Sequence, residues 1–196
     1  MSVQQFIANA GQRVQQVVAQ CKTNPHVVIS RYTAAIAGNF QLWLAMTKPR
    51  DDDAFCKVYS NFVCETLEDH RGMLLAFEKS CQSDGSAVAR AHTGEEVETI
   101  FKLFTDKVNR GLSGVALGAV LENTSKIFIP NLASLAKECG CKDFTYTDKH
   151  GEADIKHSDE FFVALELELM MGYDDPNLII KQAGDAALAL IDKIYA

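Results

Sequence analysis

Apolar residues recur at steps of three and four along most of this chain, a spacing that places them on one face of an α-helix. The segment LIIKQAGDAALALIDKIYA near the carboxyl end is one example. Gly and Pro are sparse, and no alternating β-branched run is bounded by turn residues. The sequence therefore predicts an all-α fold with seven helices, near residues 2–21, 25–47, 52–82, 93–111, 113–139, 149–172 and 175–195.

Helix starts are marked by polar and proline residues. Proline tolerates the first turn of a helix, so Asn24-Pro25 and Asp175-Pro176 suit helix starts. Asp51 can cap the helix that follows it. A chain of 196 residues can bury a substantial core, and no linker or repeat divides it. We expect residues 1–196 to form a single helical domain, with the last helix sealing the core.

Composition excludes several classes of partner. The formal net charge is −7, and the acidic residues are scattered. No basic cluster is present, which argues against binding to nucleic acid or to an anionic membrane. No apolar stretch is long enough to span a bilayer, and the amino-terminal segment does not resemble a signal peptide. We expect a cytoplasmic protein whose six cysteines are free thiols.

One glutamate interrupts the most apolar helix. In GLSGVALGAVLENTSKIFIP, Glu122 follows eleven residues without a charge and shares a helical face with Val115, Gly118 and Ala119. Burying a charge without a partner is costly. Glu122 therefore either serves a functional site or is an exception on the surface. The small residues of segment 113–122 would let a ligand or a neighbouring helix approach closely.

Two further helices carry polar residues on otherwise apolar stripes. In HGEADIKH, His150, Asp154 and His157 fall within about 60° of one another on one helical face. That face could be solvated, form a polar seam or hold a metal. Glu65 and His70 lie among apolar residues, although a glutamate beside Glu68 is more often solvated.

Together these positions offer three carboxylates and three imidazoles. Helical bundles build dinuclear sites from such residues on separate helices, and this donor set suits iron(II) and manganese, with zinc as a further candidate. Aromatic residues that are candidates for a substrate pocket, or for the core, are Tyr32, Phe40, Trp43, Phe128 and Tyr146.

The ordered pattern of Glu65, His70, Glu122 and then H-x3-D-x2-H resembles the heme-oxygenase-like dimetal oxidases, within about residues 50–172. These belong to the superfamily of the TenA-type thiaminases and pyrroloquinoline-quinone synthase, and the chain looks most like the CADD-like branch. The resemblance implies a seven-helix heme-oxygenase-like bundle with two iron ions, or iron and manganese, which activates O2. The implied metal ligands are Glu65, His70, Glu122, His150, Asp154 and His157, and all except His70 are also implied to be catalytic.

The resemblance also implies a small organic substrate, with carboxylate-bearing molecules as the first candidates. Two other classes of function remain open. One is a metal-free enzyme of the same fold that uses Glu65 or Glu122 in acid–base chemistry. The other is a non-catalytic interaction protein, such as a homodimer formed through its apolar last helix.

One spacing departs from helical geometry. Glu65 and His70 are five residues apart, which separates them by roughly 140° in a regular helix. A π-bulge would bring the two side chains together. Without one, Asp69 is the alternative ligand beside Glu65, because residues four apart share a face.

Overall fold

The computed structural model describes residues 2–83 and 86–196, apart from the side chains of 86–87 and 151–155. Within these residues all regular secondary structure is helical, which confirms the all-α prediction. The helices are α1 (Val3–Gln20), α2 (Pro25–Ile36), α3 (Asn39–Met46), α4 (Asp52–Leu67), α5 (His70–Ser80), α6 (Ser86–Leu103), α7 (Arg110–Glu138), α8 (Thr145–Leu169) and α9 (Pro176–Tyr195).

The predicted count of seven helices is corrected to nine over the described residues, because two predicted helices are each divided. Helix 25–47 breaks at Gly38, whose φ is +83°, and helix 52–82 breaks at Asp69, whose φ is +52°. A residue in the left-handed region cannot continue a right-handed helix. Both interruptions are single residues inside a continuous apolar pattern, so periodicity alone does not reveal them.

The helix starts predicted from Asn24, Asp51 and Asp175 are confirmed, whereas the helices predicted to begin near 93, 113 and 149 begin at Ser86, Arg110 and Thr145. The Asn24 side chain accepts a hydrogen bond from the His26 amide at the start of α2. Asp51 and Asp175 cap α4 and α9 in the same way, each accepting a backbone N–H three residues ahead at 2.9 and 3.1 Å. These caps satisfy amide groups that a helix leaves unpaired at its first turn.

Helix α7 lies at the centre of the fold, with α1, α8 and α9 packed around it. Its residues 111–122 are all buried. A Cβ atom on Gly118 would overlap the Phe161 ring of α8, and one on Gly114 would overlap Thr47. The small residues of α7 therefore let neighbouring side chains pack against its backbone. Among the described residues, no helix is both long enough and apolar enough to cross a bilayer.

The last helix, α9, buries an apolar stripe against this centre, as the sequence predicts. The stripe includes Ile180, Ala187 and Leu190.

A buried carboxylate joins the end of α8 to the start of α4. Glu168 is fully buried and accepts hydrogen bonds from the backbone amides of Arg50, at 2.8 and 2.9 Å, and of Asp51, at 3.1 Å. Its carboxylate also accepts the Tyr173 hydroxyl, and the Arg50 guanidinium lies 3.9 Å from the centre of the Tyr173 ring. These contacts fix where α4 enters the fold.

We expect Glu168→Ala to lower the free energy of unfolding by about 3 kcal/mol, because it leaves buried backbone N–H groups without acceptors. Urea unfolding followed by circular dichroism measures this change. Glu166→Ala, an exposed position on the same helix, is the matched control and should change stability by less than about 0.5 kcal/mol. Equal effects of the two substitutions would contradict the role assigned to Glu168.

Candidate metal centre

A cavity of about 50 Å³ lies where α4, α5, α7 and α8 meet the α2–α3 connection. Four of the residues predicted from the sequence as ligands line it, namely Glu65, His70, Glu122 and His150. The remaining wall is mostly apolar and includes Ile36, Leu74, Leu121 and Phe128. The space is enough for metal ions with a few small ligands.

The break between α4 and α5 brings Glu65 and His70 together. Helix α4 ends at Leu67, and α5 begins at His70 after the left-handed residue Asp69. The turn places His70 Nδ1 2.6 Å from Glu65 Oε1, and both side chains are buried. A helix break, and not a π-bulge, therefore resolves the five-residue spacing.

Asp69 has a different role from the ligand role considered for it. Its side chain is exposed, and Oδ1 accepts the Gly72 amide at 3.1 Å as the N-cap of α5. A Cβ atom on Gly72 would overlap this carboxylate, so the cap requires glycine there. The structure favours His70, and not Asp69, as the partner of Glu65.

His150 completes a cluster with these two residues. Its Nδ1 lies 3.0 Å from the carbonyl oxygen of Tyr146, and the two rings are in contact, with centroids 4.1 Å apart. When Nδ1–H donates to this carbonyl, the lone pair of Nε2 is free to bind a metal. His150 Nε2 lies 4.0 Å from Glu65 Oε1, and Glu65, His70 and His150 each offer a ligand atom within 4.8 Å of the others.

Glu122 and His157 form a second pair. Glu122 projects from α7 and His157 from α8, with 3.8 Å between Glu122 Oε1 and His157 Nδ1. Both residues are buried. Glu122 lines the same cavity as Glu65, His70 and His150.

The sixth predicted ligand, Asp154, lies outside the described side chains. Its backbone belongs to α8, between His150 and His157. Its role as a ligand stays a prediction.

Burial and charge shift the pKa values of the three histidines in different directions. Burial lowers the pKa of His150 to about 4 and also lowers the pKa of His157, although the charge of Glu65 opposes both shifts. Burial acts the same way on His70, but the hydrogen bond to Glu65 and the charges of Glu65 and Glu68 outweigh it and raise the pKa of His70. The neutral form favoured at His150 and His157 is the form that binds metals.

Of the five aromatic residues that were candidates for a pocket or for the core, four line the cavity and one lies in the core. Tyr32, Phe40, Phe128 and Tyr146 line the cavity. Trp43 is buried in the core, with its ring centre 5.9 Å from that of Phe101.

The sequence left open whether a ligand or a neighbouring helix approaches the small residues of α7. Gly114 and Gly118 face Thr47 and the Phe161 ring, and among the described residues this helix contributes to the cavity only from Leu121 onward. Glycine indicates a close approach, but not which group approaches.

Several residues of this region were not predicted from the sequence. Arg71, which is exposed, and Gln41 contribute to the cavity wall. The contact between the hydroxyl groups of Tyr32 and Tyr146, 2.7 Å apart, was not predicted either. Cys64 and Glu68, four residues apart at the carboxyl end of α4, approach His70 from the side opposite Glu65. The i, i+4 spacing of Cys64 and Glu68 is the one signal that could have indicated this contact.

Comparisons of this chain with known protein families, with curated proteins and with solved structures find no match. Function is therefore inferred from the geometry and chemistry of the site.

We expect Glu65→Gln to lower the pKa of His70 in the metal-free protein, because the substitution removes the carboxylate charge that stabilises the imidazolium. An NMR titration of the histidine ring protons measures the shift. Glu122→Gln is the control, and it should change the pKa of His70 much less. An unchanged pKa in Glu65→Gln would show that the Glu65–His70 hydrogen bond is absent in solution.

The lowered pKa of His150 predicts a loss of stability in acid. Between its ordinary value of 6.5 and the folded value of about 4, the unfolded chain binds a proton that the folded chain excludes. The free energy of unfolding of metal-free protein should therefore fall with decreasing pH in this window, by up to about 1.4 kcal/mol per pH unit from this group.

Substitution of His150 by Asn removes this contribution. The difference in unfolding free energy between wild type and His150→Asn, measured by urea titration, should change between about pH 6.5 and 4 and stay constant above about pH 7.5. Parallel curves over the whole range would contradict the buried, neutral state of His150.

Proposed function

We propose that this protein is an O2-activating non-heme dimetal oxidase or oxygenase with a heme-oxygenase-like helical bundle, acting on a small organic substrate. The observation that supports it most is the meeting of two buried carboxylates, Glu65 and Glu122, with three imidazoles. These side chains come from α4, α5, α7 and α8. The residues are those that the resemblance to heme-oxygenase-like dimetal oxidases implies.

The donor chemistry fits two divalent transition ions. Carboxylate and imidazole ligands suit Fe(II) and Mn(II), and helical bundles commonly hold such pairs in their core. Bound metal ions would offset the cost of burying the carboxylates of Glu65 and Glu122. In this proposal Glu65, His70 and His150 hold one ion, and Glu122 and His157 hold the other, together with Asp154.

The bound ions would supply the redox chemistry with O2, and the residues around them would control access and orientation. The apolar wall from Ile36, Leu74 and Phe128 keeps bulk water from the ligands. The His150 imidazole is held in one orientation by ring contact with Tyr146 and by its hydrogen bond to the Tyr146 carbonyl.

Arg71 supports a carboxylate-bearing substrate. Its guanidinium packs against Gly38, and both residues contribute to the cavity wall. A cation at this position would attract an anionic group, and the apolar wall would contact the rest of a small organic molecule.

Metal content measured on the full chain tests the proposal. Anaerobic titration of chelator-treated protein with Fe(II) should reach about two ions per chain, and the loaded protein should consume O2 in an electrode assay. Glu122→Gln and His150→Ala should each lose at least one bound ion, because each substitution removes a buried ligand.

His92→Ala and Glu96→Gln are matched controls, because both residues lie on α6 and contact Lys193 instead of the cavity. They should bind iron as wild type does. The assignment of a dimetal centre would be contradicted if the wild-type protein binds no iron. It would also be contradicted if a Glu122→Gln/His150→Ala double variant binds iron normally.

A further inference from the structure

His70 faces two groups of possible ligands with its two ring nitrogens. Nδ1 contacts Glu65 toward the cavity, and Nε2 lies 3.5 Å from Glu68 Oε2 on the other side. Glu68 Oε1 lies 3.6 Å from Cys64 Sγ. Cys64, Glu68 and His70 each offer one ligand atom within 4.8 Å of the others, and we call them the outer cluster.

The outer cluster contains a buried nitrogen that lacks a partner. The His70 residue is only 3% exposed, and in the described part of the chain its Nε2 has no hydrogen-bond partner, although Glu68 Oε2 lies at ion-pair distance, 3.5 Å. Native proteins rarely leave such an atom unsatisfied. A cation bound by Nε2 would satisfy it.

We propose that the outer cluster is a binding site for Zn²⁺. Thiolate, imidazole and carboxylate are the side-chain ligands that zinc takes in proteins. Ligand atoms around tetrahedral zinc lie roughly 3.3 to 3.8 Å apart, from bond lengths of about 2.0 to 2.3 Å. His70 Nε2 lies 3.5 Å from Glu68 Oε2, within this range, and Cys64 Sγ lies 3.6 Å from the other carboxylate oxygen, Oε1.

Glu65 contacts the ring nitrogen of His70 that faces away from the outer cluster. Histidines that bind zinc usually donate their other ring N–H to a carboxylate, which fixes the tautomer and the ring orientation. The 2.6 Å contact from His70 Nδ1 to Glu65 Oε1 has this arrangement when Nε2 binds the ion.

Binding releases the thiol proton of Cys64 and, from the imidazolium form of His70, the proton on Nε2. It displaces one cation and changes no oxidation state. Burial and the charge of Glu68 raise the pKa of the Cys64 thiol, so zinc replaces its proton, which passes to solvent. Lys149 Nζ, now 2.7 Å from Glu68 Oε2, moves into the surrounding water. Cys64, Glu68 and His70 would then hold the zinc ion between them, and water would complete its coordination.

The outer site and the inner centre cannot both use His70. A neutral imidazole has one free lone pair, so it binds one metal ion at a time. Zinc at the outer cluster therefore competes with metal loading of the cavity. The zinc site itself is independent of the proposed function, and only this competition rests on it.

Cobalt(II) is the spectroscopic probe for this site, because a cobalt–thiolate bond gives a near-ultraviolet charge-transfer band. Chelator-treated full-length protein titrated with Co²⁺ should develop the band, and Zn²⁺ should abolish it by displacement. Cys64→Ser should lack the band. Cys56→Ser, an exposed cysteine on the same helix, is the matched control and should keep it.

Zinc affinity, measured by competition with a chromophoric chelator, should fall by about 100-fold in Cys64→Ser. Lys149→Met should bind zinc more tightly, because the competing cation beside Glu68 is removed. A band that persists in Cys64→Ser, or zinc affinity equal in wild type and Cys64→Ser, would overturn the proposal.

Glu122→Gln separates the two metal sites. It should keep the cobalt band while it loses iron, because Glu122 belongs to the inner centre alone. Loss of the band in Glu122→Gln would place cobalt in the cavity and overturn the outer site. A band that depends on Cys64 in a protein that binds no iron would support the zinc site and refute the dimetal oxidase.

Discussion

Carboxylates buried in a helical core need partners, and this requirement organises much of the structure. Glu168 accepts backbone amides at the start of α4. At the other end of α4, Glu65 is paired with His70 across a break in the chain. Glu122 is buried in the central helix beside His157. The first of these interactions places a helix, and the other two gather groups that a metal could bind.

The sequence predicted the helical class and the helix starts because each depends on local spacing or on a single capping residue. It did not predict the breaks at Gly38 and Asp69, since a left-handed residue interrupts a helix without changing the apolar pattern. The same break explains the difficulty with Glu65 and His70. Regular helical geometry separates them, and the turn at Asp69 brings them to 2.6 Å.

Residues of the candidate site differ in how far the sequence could identify them. Glu122 was identifiable because a charge after eleven uncharged, mostly apolar residues needs an explanation. The small residues before it could have faced a ligand or another helix, and in the structure they accommodate Thr47 and Phe161. Arg71 gave no signal, because an exposed arginine is common on helices and its contact with the cavity depends on tertiary packing.

The hydrogen bonds by which Glu168 joins α8 to the start of α4 have a consequence for redesign of the protein. Helices α4 and α8 run antiparallel, with Glu168 joining them at one end and the cavity lying near the other. The residues that join the two helices are therefore different from the residues that line the cavity. Protein engineers could therefore vary the cavity wall for new ligands while the distant anchor preserves the alignment of the two helices.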